Sequence, residues 1–139
     1  MLVACTLLAS CSAPPKSRLR SVDVVAQVDA NQNSATAHDI VFVFDEAALE
    51  QLPATSPEWF KRKSLLTDEL GNAIGILSLE ITPGSVIKPS LPPKHDQAIA
   101  VFSYAYYMDR AGHPRGTLTG FRRVRIRLAS DHVDYIGER

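Results

Sequence analysis

The sequence predicts a mainly β protein, an antiparallel β-sandwich with one helical insertion. Three observations carry that expectation. Ile40-Val41-Phe42-Val43-Phe44 is an unbroken β-branched and aromatic run between polar residues, the pattern of a strand buried on both faces. Thr117–Leu128 alternates, with Val124, Ile126 and Leu128 on one side and Arg123, Arg125 and Arg127 on the other. A single helical pattern, opened by Ser56-Pro57-Glu58, interrupts the series of strands.

Size and composition agree with one globular domain. The chain has 139 residues, 45% hydrophobic and 22% charged. Fifteen Lys and Arg balance fifteen Asp and Glu, so no bulk positive charge points to nucleic acid. Two cysteines are too few for a disulfide-stapled scaffold or a four-cysteine zinc site. No apolar run reaches the roughly 18 residues of a spanning helix, which excludes a polytopic helical membrane protein. The balance is nevertheless uneven along the chain. Residues 21–60 hold seven acids and no Lys or Arg, and residues 110–127 hold six arginines and no acid. Two arrangements fit: oppositely charged surfaces, or neighbouring segments that neutralise each other.

The elements follow in order. Met1–Cys11 is apolar and ends in Leu8-Ala9-Ser10-Cys11. It resembles a bacterial lipoprotein signal, with the lipid carried on Cys11 after removal of residues 1–10. No positive charge precedes Lys16, so the expected start of translation lies upstream of Met1, or the sequence is clipped. Residues 11–20, with two prolines and three basic residues, read as a lipidated tether, and residues 21–139 as the sandwich. Ser21–Val28 is a Val-rich strand. Ala30–Asp39 is small and polar and reads as a loop of about ten residues, longer than a hairpin needs. Asp45–Leu52 is a short helix stopped by Pro53. In the longer helix Ser56 is the expected N-cap, Trp59, Lys63, Leu66 and Leu70 share a face, and Gly71-Asn72 ends it.

Strands then return at Ile74–Thr82, with Leu77, Leu79 and Ile81 on one side, before a Pro83-Gly84 turn. Ser85–Pro93 is broken by prolines and reads as an edge. Ala98–Met108 is the longest strand candidate, Asp109–Gly116 closes a hairpin, and Asp131-His132 turns into a last strand at Val133–Ile136.

The expectation is a non-enzyme. The sequence has no nucleophile elbow, no Gly-rich phosphate loop and no paired-His zinc motif. His38, His95, His113 and His132 are dispersed in polar turn contexts, so neither a metal nor another cofactor is expected. Tyr104, Tyr106 and Tyr107 admit two readings, a ligand platform or ordinary sheet residues.

The lipobox, the Val-rich strand, the polar loop, Ile40–Phe44, the helix with Trp59-Phe60 and Leu65-Leu66, the Pro83-Gly84 turn and the strand Ala98–Tyr104 together resemble TssJ. These are the outer-membrane lipoproteins of bacterial type VI secretion systems. The chain departs from that pattern at Asp29-Ala30-Asn31, where the family often has Asn-Pro, and in lacking an Arg within Ile40–Phe44. The resemblance implies a transthyretin-like sandwich on the periplasmic face of the outer membrane. It implies a partner too: the periplasmic part of the inner-membrane protein TssM, and through it the TssL–TssM complex. The family contact falls in the loop between the first two strands, here Asn31, Gln32, Asn33, Ser34, Thr36 and His38. Three other readings of the residues stay open: a small-molecule binder with a tyrosine-lined cleft, an envelope assembly factor that pairs through a strand edge, and a hydrolase, for which no nucleophile and base are evident.

Overall fold

The computed structural model describes residues 12–109 and 111–139. Cys11 and the segment before it lie outside the described residues. Two four-stranded sheets face each other. The first has the order β4 (Val86–Ile87), β1 (Ser21–Ala26), β7 (Arg123–Leu128), β8 (Val133–Glu138). The second has the order β3 (Ile74–Ile81), β2 (Thr36–Val43), β5 (Ala100–Ala105), β6 (Gly116–Thr117). The four-residue segments α1 (Ala30–Asn33) and α2 (Glu46–Leu49) lie in connections, and α3 (Ser56–Leu70) covers the outer face of the second sheet.

This three-layer arrangement explains the doubly apolar run. Ile40 and Phe42 point into the space between the sheets, against Val24, Ile126 and Leu128. Val41 and Val43 point the other way, against Trp59 and Leu66 of α3. All four side chains of β2 from Ile40 to Val43 are fully buried. β7 shows the complementary case: it alternates because the first sheet has no third layer, so its arginines stand in water.

Helix α3 is held by a polar pin as well as by packing. Trp59 stacks on Tyr104 at 5.0 Å, and its Nε1–H donates to Asp39 Oδ2 at 2.8 Å. The same oxygen is 2.8 Å from Lys63 Nζ, one turn further along the helix face. Asp39 is 2% exposed, so this carboxylate is satisfied inside the protein rather than by water. The helix stops at Gly71, whose φ of 48° suits a residue without a Cβ.

Several expectations are corrected. The N-cap of α3 is Thr55, and Ser56 is already helical. The Ser56 hydroxyl accepts from the Ala105 N–H, tying the helix start to β5. The strand expected over Thr117–Leu128 is two strands, because the chain changes sheets at Leu118–Arg122 and buries Leu118 and Phe121 on the way. The sandwich is not wholly antiparallel: β1 and β7 pair in parallel, Ser21 with Arg123 through Ala26 with Leu128. After β1 the chain leaves for the second sheet, so the neighbour of β1 is a strand that enters from the same end. The strand expected over Ala98–Met108 spans only Ala100–Ala105. The loop expected over Ala30–Asp39 is shorter too, since β2 already begins at Thr36.

Candidate partner-binding end

Strand directions give the sandwich two distinct ends. Ser21, Val43, Ala100, Arg123 and Glu138 are strand termini at the end where residues 12–20 join. At the opposite end lie the connections β1–β2, β3–β4, β5–β6 and β7–β8. The candidate loop is therefore at the end away from the tether.

Its backbone is unusual. Asn31, Gln32 and Asn33 follow one another at φ of 49°, 54° and 61°, in the left-handed region. Asn visits that region readily, but a run of three including Gln costs roughly 1 kcal/mol or more per residue. Surrounding bonds hold the conformation. Asn31 and Gln32 donate their N–H groups to the carbonyls of Ala129 and Ser130, in the β7–β8 turn. The Asn31 carboxamide donates to Ala35 O at 3.1 Å and Tyr106 O at 3.4 Å, and accepts from Met108 N–H at 2.7 Å. Tyr107 donates from beneath to the carbonyls of Ala129 and His132, both at 2.9 Å. Three loops are thereby locked into one rigid end.

The six predicted residues separate. Gln32 and Asn33 are exposed and Ser34 is half-buried at the surface. Asn31 is buried and works as the clamp described above. Thr36 and His38 belong to β2 and are fully buried, which corrects the expectation that they sit in the open loop. Alternation along β2 turns both inward. Around the three accessible residues stand side chains that sequence reasoning placed in strands: Val28 is 80% exposed and Met108 65%. Tyr106 is half-exposed, with its ring edge-on to Phe60 at 5.2 Å. The other two tyrosines resolve to core: Tyr104 and Tyr107 are buried with bonded hydroxyls.

Among the charged groups at this end are Asp131, His132 and Asp134. His132 Nδ1 is 2.7 Å from Asp131 Oδ1, a bond that raises the imidazole above its ordinary pKa and lowers the aspartate. Asp134 in turn pairs with Arg127. The two charged segments do meet in part, since β1 sets Asp23 in register beside Arg125. Arg127 finds its acid in β8 rather than among residues 21–60.

The fold also assembles a buried polar chain. Tyr135 donates to Ser103 Oγ at 3.1 Å, and Ser103 Oγ is 2.7 Å from His38 Nε2. Neither Ser103 nor His38 is exposed, and the 370 Å³ cleft outside Tyr135 is lined by neither. The pair has a nucleophile–base distance but no substrate access. His38 Nδ1 and Thr36 Oγ1 have no hydrogen-bond partner among the described residues. Gly116 belongs to the same region: a Cβ there would come within 2.1 Å of the Tyr135 ring, so the ring lies directly on bare backbone. The expectation that every histidine sits in a polar turn fails at His38. Among the described residues no three His, Cys, Asp or Glu side chains converge as a metal site would need.

The class defined by this architecture is a two-sheet β-sandwich with a covering helix and a locked loop end. No protein-family model and no curated protein matches the sequence. Solved structures do match. The T6SS lipoprotein TssJ1 from Pseudomonas aeruginosa superposes with a TM-score of 0.62 at 17% identity, over 90% of this chain and 98% of that one. Serratia marcescens Lip, a membrane-bound component of the type VI secretion system, gives 0.60 at 15%, over 90% and 99%. A structure described as the T6SS protein TssM C-terminal domain (869–1107) from EAEC gives 0.57 at 13%, over 84% and 98%. The fold is that of the TssJ lipoproteins.

Proposed function

We propose that this chain is a lipoprotein, anchored through Cys11 to the periplasmic face of the outer membrane, that tethers a type VI secretion membrane complex by binding the periplasmic part of TssM. The observation that carries the reading is the TssJ fold combined with the placement of its two functional ends. The lipobox leads into one end, and the locked β1–β2 loop stands at the other, where it meets a partner coming from the inner membrane. Strained backbone held by surrounding bonds is a known accompaniment of recognition sites, because it presents side chains without an ordering cost on binding. The exposed Val28 and Met108 add apolar area beside Gln32 and Asn33.

Replacing Gln32 and Asn33 by glycine and Ser34 by alanine tests the site while keeping the Asn31 clamp, with glycine at both left-handed positions. Thermal stability and envelope fractionation are expected to be unchanged, since glycine accepts the left-handed backbone. Capture of the TssM periplasmic domain is expected to fall at least about tenfold. If capture is unchanged, the site moves to the arginine face of β7. The anchor is tested separately. Cys11→Ser is expected to abolish palmitate labelling and outer-membrane fractionation, because the tether alone supplies no anchoring energy. Recovery of that variant in the outer membrane at wild-type level refutes the lipobox.

A further inference from the structure

Residues 12–20 do not trail free of the body. Ser17 N–H donates to Ala98 O at 2.7 Å and Arg20 N–H to Arg122 O at 2.8 Å. Leu19 is 2% exposed, inserted at the edge of the inter-sheet core. The first pinned position, Ser17, is six residues on from Cys11, a span of about 20 Å at full extension. A chain anchored at Cys11 would thus hold this end against the membrane surface.

That end is basic. A cleft of 530 Å³ is lined by Ser17, Arg18, Leu19, Arg20, His95, Asp96 and Arg122. Its three arginines face one carboxylate, and exposed Lys16 and Lys94 flank it. None of Lys16, Arg18, Arg20, Lys94 and Arg122 lies within 4.0 Å of a carboxylate among the described residues, whereas Lys63 and Arg127 elsewhere do. Guanidinium groups left unpaired around a concavity suit phosphate oxygens, which they engage two at a time.

We propose that the cleft ringed by Arg18, Arg20 and Arg122 seats the phosphate headgroups of anionic lipids in the membrane that anchors the chain. The proposal rests on the Cys11 anchor. It gives the anchor a direction: the acyl chains retain the protein, and the headgroup site turns the locked loop end away from the bilayer.

The test uses the full chain with Cys11→Ser, so that no acyl chain contributes, in sedimentation with vesicles. Binding is expected to mixed phosphatidylethanolamine–phosphatidylglycerol vesicles, weakening with salt, and not to phosphatidylcholine. An arginine at an anionic surface is worth roughly fivefold in partitioning, so Arg18→Gln, Arg20→Gln and Arg122→Gln together are expected to lose on the order of a hundredfold. The same neutralisation at Lys61, Arg62 and Arg125, all exposed elsewhere, is expected to change binding only slightly. Equal loss in both triple variants overturns the site, as does an absence of anionic-vesicle binding. Binding of inorganic phosphate at the cleft without any binding to anionic vesicles overturns it in favour of a soluble anion. Palmitate labelling of the wild-type chain separates this proposal from the anchor. A labelled wild type whose Ser variant ignores anionic vesicles sinks the cleft alone, and an unlabelled wild type with vesicle binding intact sinks the anchor alone.

Discussion

Trp59→Ala is expected to lower the unfolding free energy by about 3–5 kcal/mol, the range for truncating a fully buried aromatic. The side chain is 0% exposed and stacked on Tyr104, so alanine leaves a cavity between α3 and the second sheet. It also removes the Nε1–H donor from Asp39, leaving a nearly buried carboxylate with Lys63 as its remaining partner. Trp59→Phe divides the two contributions, keeping most of the packing and losing the bond. Urea unfolding of the three proteins measures both terms, with Phe expected between wild type and Ala. A Trp59→Ala variant that melts within a degree or two of wild type would mean that α3 is not packed on the sheet.

Much of this was legible in sequence because local patterns report which face of an element is buried. Ile40–Val43 announced a strand covered on both sides, and the structure supplies the two covers, a sheet and a helix. Arg123, Arg125 and Arg127 announced the open face of the first sheet. Trp59 and Leu66 announced the face of α3. What stayed hidden depends on contacts distant in sequence. The parallel pairing of β1 with β7 joins segments a hundred residues apart, and nothing local in Ser21–Ala26 distinguishes a parallel neighbour from an antiparallel one. The polar stretch Ala30–Asp39 looked like one loop because Thr36, His38 and Asp39 are polar. Each is in fact buried in β2, and Asp39 is satisfied by Trp59 and Lys63, which only the folded chain brings to it. The clamp role of Asn31 was equally invisible, since its partners Tyr106 and Met108 arrive from another loop.

Acid is expected to destabilise the protein through His38. Burial pushes this imidazole down to about 4, against 6.5 for an ordinary histidine, and the neighbouring Asp39 offsets only part of that effect. Below about pH 6.5 the unfolded chain binds a proton that the folded chain refuses. Stability therefore falls as pH drops from 6.5 toward 4 and levels off once both states are protonated. Between pH 7.5 and 4.5 the loss amounts to about 2–3 kcal/mol. Asp131 and Asp134, whose native pKa values lie below the usual carboxylate value, act in a lower window, under about pH 4. His132 runs the opposite way, because its raised pKa makes the folded state the better proton acceptor near neutrality. His38→Gln isolates the buried contribution: glutamine does not titrate, yet it can still reach Ser103 Oγ, the partner of His38 Nε2 at 2.7 Å. Urea unfolding at pH 7.5, 5.5 and 4.5 should give a wild-type free energy that drops with acid and a variant that stays nearly flat over the same interval. Parallel decline in both proteins would show that His38 accepts its proton in the folded state, so that burial does not hold it neutral.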